Sequence, residues 1–295
     1  MQLKNLPFKF ESACVRAWYR MADLRPGSAP FVSGDSFRGI ADHIVEKGGR
    51  FDPARVKNGE VVFVEAWQIG YFFRTCLSRI REPFVLITHN GDLNINESFI
   101  PVATNNKVIH WFAQNSLLHH QKVTAIPIGL ENRFYHYNGV IRDFRRLAFR
   151  KTLKARRILF GFTVETNLKE RLPALEALRE SNLADTFKRT NSREYRARLE
   201  RYAFVASPPG NGVDCHRTWE GLYLGAIPVV KRSIFYDAFP GLPVLAIRDW
   251  AEIATWDSSF LSQAYEELSK KIESCPYLKF EFWVDLVSRA KAAVS

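Results

Sequence analysis

Runs of consecutive apolar and β-branched residues recur along the chain at a spacing that suits strands separated by helices. Val61–Val64, Phe84–Thr88, Val108–Phe112 and Val123–Pro127 show little polar alternation, which marks strands buried on both faces in a parallel sheet. Phe31–Asp35 reads as a further strand. Residues 35–47 and 66–79 have helical spacing, so a βαβ rhythm results. A second series starts with Ile158–Phe162 and continues through a helix at residues 167–181. The strands Tyr202–Ala206, Val229–Val230 and Val244–Ala246 complete it. The pattern predicts two doubly wound, Rossmann-like α/β domains facing a central cleft. The first spans residues 1–150 and the second 151–275, while residues 276–295 form a helix returning to the first domain. Ligands in such sheets bind beyond the carboxyl ends of the strands, which directs the search for chemistry to the residues after each apolar run.

The segment Ser207–Val230, SPPGNGVDCHRTWEGLYLGAIPVV, is the most informative of these. Pro208 and Pro209 stop the strand before it, and Gly210 and Gly212 permit a tight, exposed backbone around Asn211. Helical spacing begins near Asp214, a suitable N-cap, so free N–H groups and the positive end of the helix dipole should point into the loop. His216 and Arg217 sit in the first turn, where a cation opposes the dipole unless an anion lies at the same end. Arg217 therefore reads either as a diphosphate ligand or as the partner of a nearby carboxylate. Glu220, one turn on, suits a ribose diol, or simply pairs with Arg217.

The succession Tyr195…Leu199…Phe204, the loop Pro209–Gly212, Arg217-x-x-Glu220 and Gly225-Ala226-Ile227-Pro228-Val229 resembles the exostosin-like glycosyltransferases, family 47 of the sugar-transfer enzymes. That family usually carries Cys where this chain has Ala226. The resemblance covers the C-terminal half and implies a GT-B fold with a nucleotide sugar held by the C-terminal domain. It also implies inversion at the anomeric carbon without an essential metal, and UDP rather than GDP in the donor. Arg171 matches an arginine that the family places near the diphosphate. Ser207, Thr163 and Thr166, at strand ends of the second domain, are further donor-side candidates. Many family members carry a membrane anchor, whereas this chain looks more like the small soluble bacterial and viral type.

In the first domain, Thr88-His89-Asn90-Gly91-Asp92-Leu93-Asn94 follows an apolar strand directly, and packing alone does not explain its polar side chains. Inverting sugar transfer needs a general base for the acceptor hydroxyl. Asp92 is the first candidate, although a residue beside Gly91 also suits an Asx turn. His89 is a base in its own right or orients Asp92, and Asp35 is the reserve. Asn115 and Glu131, also after strands, are acceptor-side or interdomain candidates. No Asp-x-Asp occurs, and developing charge on the leaving diphosphate falls to Arg217, Arg171 and the helix N-terminus.

Composition narrows the field. With 295 residues, 46% hydrophobic and 14% aromatic, the chain can build two ordinary cores. No apolar run approaches the roughly 18 residues of a membrane span, and the first residues do not read as a signal peptide, so a cytoplasmic protein is expected, at most peripheral at a membrane. Cys14, Cys76, Cys215 and Cys275 are isolated, which suggests neither zinc nor disulfides. The net charge of +11 concentrates in Arg142, Arg145, Arg146, Arg150, Lys151, Lys154, Arg156 and Arg157. That stretch reads as a solvated basic helix, or as a contact for phosphates, an anionic lipid-linked acceptor or nucleic acid. No RNA-recognition or zinc-finger motif accompanies it, which disfavours nucleic acid. Trp18, Tyr19, Trp67 and Tyr71 read as core, or one of them as a platform for an acceptor sugar.

The sequence therefore predicts an inverting, metal-independent glycosyltransferase. It would move a sugar from a nucleoside-diphosphate donor, for example UDP-xylose, to a glycan hydroxyl with no cofactor. Three alternatives stay open: a noncatalytic sugar-nucleotide binder, a basic nucleic-acid-binding protein, and an NADP-dependent reductase. The last rests on Lys231-Arg232 after the helix and is weakened because Gly210–Cys215 fails the dinucleotide fingerprint at its last position.

Overall fold

The computed structural model describes residues 6–22, 24–136, 138–147, 152–187 and 190–293. It contains two five-stranded sheets in which every described strand pair is parallel. The first runs in chain order through β1 (His43–Val45), β2 (Val61–Glu65), β3 (Phe84–His89), β4 (Val108–Gln114) and β5 (Val123–Ile126). The second comprises β6 (Ala155–Phe160), β7 (Ala184–Thr186), β8 (Tyr202–Ala206), β9 (Ile227–Lys231) and β10 (Leu245–Ile247), in the order β10-β9-β8-β6-β7. The expected pair of α/β domains is present.

The second order fixes a place for a ligand. After β6 the chain turns outward to β7, then comes back to the other side at β8, so connections leave β6 and β8 in opposite directions. A crevice opens between the carboxyl ends of such strands. Here Gly161 follows β6 and Ser207–Gly210 follows β8. The helix His216–Tyr223 then leads from that crevice to β9.

Alternation along β2 and β3 divides the first sheet into two faces. Val62, Val64 and Leu86 pack with Ile69, Phe72 and Val102 from the crossovers. On the other face Val61, Phe63, Val85 and Ile87 share a core with Phe37, Phe280 and Trp283. Helix Phe280–Ala292 thus lies against β3 and β4, with Phe280 edge-on to Phe37 at 5.5 Å. Trp219, Phe235 and Phe239 of the second domain belong to the same core, so a large apolar interface joins the domains and resists hinge motion.

Several local expectations fail. Phe31–Asp35 is not a strand, because Ser33 caps a short helix, Gly34–Gly39, by accepting the Ser36 N–H. A Ser followed by Asp35 in the first turn is a helix-start signal that outweighs the apolar pair Phe31-Val32. The helix foreseen to residue 47 ends at Gly39, and β1 takes the rest by pairing with β2. Residues 66–79 form a chain of one-turn pieces, including a wide turn at Phe72–Cys76, and their starts carry no side-chain cap. Of the four aromatics, only Tyr19 is buried. Trp18, Trp67 and Tyr71 are exposed, Trp67 at 64%.

The basic stretch is not one solvated patch. Lys154 donates to the carbonyls of Glu200 and Leu224, Arg156 lies 4.0 Å from the Tyr265 ring, and Arg157 clasps Asp185. The Arg146 side chain, Arg150 and Lys151 lie outside the described residues. Among the described residues no helix is long and apolar enough to cross a membrane.

Candidate active site

A cavity of about 430 Å³ occupies the crevice between the two domains. Its second-domain wall begins with the loop after β8. Gly210 and Gly212 are buried there, and neither has a positive φ, so backbone freedom is not the reason for glycine. A Cβ on Gly210 would stand 2.7 Å from Arg171 Nη2, and one on Gly212 would stand 2.5 Å from Asn115 Nδ2. The glycines are there for close approach, and only Asn211 between them is exposed.

Two arginines span the crevice. Arg171 donates from Nε to the Pro209 carbonyl at 2.9 Å and from Nη1 to the Thr163 carbonyl at 2.8 Å, tying the β8 loop to the β6 loop. Arg217 Nη2 donates to the Gly161 carbonyl at 3.1 Å, while its buried Nε has no hydrogen-bond partner. No ion pair joins Arg217 to Glu220 or to any other carboxylate among the described residues. The buried Tyr195 hydroxyl lies beside the Arg217 guanidinium, in a contact whose geometry completes a hydrogen bond for neither group; burial holds its proton in place and Arg217 opposes that. An unpaired buried polar group is expensive, about 1–3 kcal/mol, so two in one cavity point to a polar ligand.

The start of helix His216–Tyr223 faces the same space. Its N-cap is Cys215, with no side-chain cap. Asp214, expected in that role, is buried one residue before the cap: Oδ1 accepts the Cys215 N–H at 2.8 Å, Oδ2 accepts the Ile128 N–H at 2.8 Å, and both oxygens accept from Trp219 Nε1 of the helix. The carboxylate thus ties the start of the helix to the other domain rather than capping its first turn. His216 Nδ1 donates to the Gly129 carbonyl at 2.7 Å, and its Nε2 lies 3.8 Å from Glu131. Burial opposes charge on His216, but Glu131 and the Gly129 carbonyl raise it above its ordinary value. Burial also raises Glu220, against the pull of Arg196, His216 and Arg217.

Two donor-side candidates do not reach the cavity. Ser207 is buried, and its hydroxyl bonds Thr218 at 2.9 Å. Thr163 contributes its carbonyl to Arg171 rather than a hydroxyl to the cavity, whereas Thr166 does line it. Lys231, which left an NADP-dependent reductase open, is paired with Glu170 at 2.8 Å.

The first domain supplies the opposite wall. Asp92 lines the crevice, and Oδ2 accepts from Asn211 Nδ2 at 3.1 Å. Asn94 accepts the Val213 N–H, and Asn115 accepts the Asp214 N–H, each at 3.0 Å. The polar run after β3 therefore clasps the glycine loop of the other domain. The sequence marked Asn115 as a candidate and Asn94 as part of the polar run, but assigned Asn94 no role, since its partner lies 119 positions away.

His89 and Asp35 are placed otherwise than a base requires. His89 is buried: Nε2 donates to the Pro127 carbonyl at 3.1 Å, and Nδ1 accepts the Asn90 N–H at 2.7 Å. Both nitrogens are taken, neither by Asp92, and burial pushes the imidazole down to about 4. Asp35 is buried at the start of its short helix and receives Arg25 through two bonds, at 3.0 and 2.7 Å. Of the three acid–base candidates, only Asp92 faces the crevice.

No protein-family model matches the chain, and no curated protein matches it in sequence. Solved structures that superpose on it include UDP-forming α,α-trehalose-phosphate synthases from two Burkholderia species. That of B. xenovorans gives a TM-score of 0.48 at 11% identity, covering 83% of this chain and 75% of its own. That of B. vietnamiensis gives 0.44 at 12% identity, covering 79% and 73%. A glycosyltransferase from Rickettsia africae gives 0.41 at 8% identity, covering 78% and 76%. Scores of this size leave the fold to be read from the strand order itself: two parallel-sheet α/β domains with a polar crevice between them.

Proposed function

We propose that the protein is a GT-B glycosyltransferase that takes a nucleoside-diphosphate sugar, inverts the anomeric centre and needs no metal ion. One observation carries the reading: Arg217 Nε is buried without a partner, at the uncapped start of a helix, in the crevice where the β6 and β8 connections diverge. A diphosphate would satisfy that N–H, meet the positive end of the helix and replace water around Arg217. Tyr195 would donate its hydroxyl to the same ligand. Glu220, deeper on the same helix, would take the ribose diol.

In this reading the acceptor hydroxyl enters from the first-domain side. Asp92 removes its proton as the oxygen attacks the anomeric carbon, and the bond from that carbon to the diphosphate oxygen breaks on the opposite face. Negative charge then grows on the leaving diphosphate, where Arg217 and the helix N-terminus hold it. UDP in the donor, a sugar such as xylose and membership of the exostosin-like family are the finer parts of the proposal, and they rest on the motif resemblance.

Calorimetric titration of UDP, GDP and their sugar conjugates, with and without EDTA, tests this on the wild type and on Arg217→Ala. Selective binding that survives EDTA and weakens at least about thirtyfold in the variant, as loss of a charge-assisted contact requires, supports the reading. Absence of binding to all of them refutes it.

A further inference from the structure

A second cavity, of about 180 Å³, adjoins the first and shares Asp92, Glu131 and His216 with it. It lies at the carboxyl ends of β2, β3 and β4 of the first domain, lined by Glu65, Gly91 and Gln114 among others, with His216 reaching in from the second domain. Gln114 is 3% exposed. Its Nε2 donates to the Gly91 carbonyl at 2.9 Å, while its Oε1, also buried, has no partner. That bond fixes the amide orientation, because the reverse would set two oxygens against each other.

Three carboxylates share the lining, while His89, Asn90 and Asn132 are bonded to one another, to Asp35 and to the Pro127 carbonyl. Among the described residues Glu65 receives only the Lys47 N–H, and Asp92 only Asn211. Glu131 uses Oε1 for the Asn132 N–H and keeps Oε2 toward His216. The two basic groups of this lining are already engaged, Arg25 with Asp35 and His216 with the Gly129 carbonyl and Glu131. An anion brought here would find carboxylates and no uncommitted guanidinium. A ligand with several hydroxyl donors would satisfy Gln114 Oε1 and the carboxylates together.

An exposed indole packs against Gly91 of this lining. Trp67 is 64% exposed, and its Nε1 lies 3.1 Å from where a Cβ on Gly91 would be. Gly91 is glycine because Ala66 and Trp67 press on it. Solvent-exposed tryptophan beside a polar cavity offers a flat apolar face with one N–H, which suits the C–H face of a pyranose.

We infer that this cavity is the acceptor subsite and that it takes an uncharged sugar residue, stacked on Trp67 and hydrogen-bonded to Gln114, while excluding phosphorylated and carboxylated sugars. The inference rests on the proposed function only in calling the sugar an acceptor. Its binding chemistry stands by itself.

Saturation-transfer NMR with D-glucose, D-galactose, D-mannose, D-xylose, glucose 6-phosphate and glucuronate tests it, with and without UDP. At least one neutral sugar should bind, and its charged derivative should bind about tenfold more weakly or not at all. Trp67→Ala, a surface change that leaves the core intact, should weaken the neutral sugar about tenfold, as should Gln114→Met if that variant folds. Glu65→Gln should narrow the gap between glucose and glucose 6-phosphate. Tighter binding of the anionic sugars, no sugar binding at all, or an unchanged affinity in Trp67→Ala overturns the inference. Sugar binding in the absence of UDP binding would sink the donor reading alone.

Discussion

Asp92 Oδ2 accepts a hydrogen bond from Asn211 Nδ2 at 3.1 Å, joining the acidic side chain of one domain to the exposed residue of the glycine loop in the other. The bond places a carboxylate at the border of two cavities, within reach of both. Asp92→Asn should lower turnover by about 10²–10⁴, the usual contribution of a general base, with nucleotide affinity unchanged. Steady-state rates and calorimetry on the same preparation decide this. An asparagine variant with wild-type turnover would remove Asp92 from the chemistry.

His89 makes acid stability predictable. Its native form is the neutral imidazole, because Nδ1 accepts the Asn90 N–H and Nε2 donates to Pro127. Burial lowers its pKa from 6.5 to about 4. The unfolded chain therefore takes up a proton first as pH falls. The contribution is complete above pH 6.5 and is lost toward pH 4, by about 3 kcal/mol for a shift of that size. Urea unfolding at pH 7, 5.5 and 4 should show this slope in the wild type and a smaller one in His89→Asn. Equal slopes would exclude the imidazole as the cause.

Asp35 and Arg25 should behave as a unit. Arg25→Met leaves the fully buried Asp35 carboxylate without its counter-charge and should cost about 3 kcal/mol. Adding Asp35→Asn should recover part of the loss. Chemical denaturation of the two single variants and the double variant gives the coupling directly, and additive effects would contradict it.

Gly212→Ala probes the contact between domains. The added methyl carbon would lie 2.5 Å from Asn115 Nδ2, whose Oδ1 holds the Asp214 N–H. Moving that side chain should destabilise the protein by about 1–3 kcal/mol. In an Asn115→Ala background the same glycine change should be nearly neutral. A full effect in both backgrounds would place the strain elsewhere.

The sequence by itself determined the elements whose signal is local. Continuous apolar runs marked β2 through β5 and β8 because a strand covered on both faces has no polar position to betray a period. Gly-rich loop, helix and strand from Ser207 to Val230 were legible because proline, glycine and periodicity punctuate them over a few residues. Asp92, Arg217 and Glu220 were found by their positions after a strand or in that helix, Arg171 by the motif resemblance, and all four line the crevice. Only the tertiary structure decided what each polar group is paired with. Asp35 and Asp92 both stand near apolar runs, yet Arg25 neutralises one and the crevice receives the other. Asp214 sits one residue before the cap and joins the helix start to the Ile128 N–H, 86 positions distant. Gln114 and Glu65 gave no signal in the sequence that a cavity joins them, and Trp67 stood out only as one of four aromatics, because the cavity walls come from separate strands. Burial and partnership are set by contacts far apart in the chain, and a pattern of neighbours along it carries no record of them.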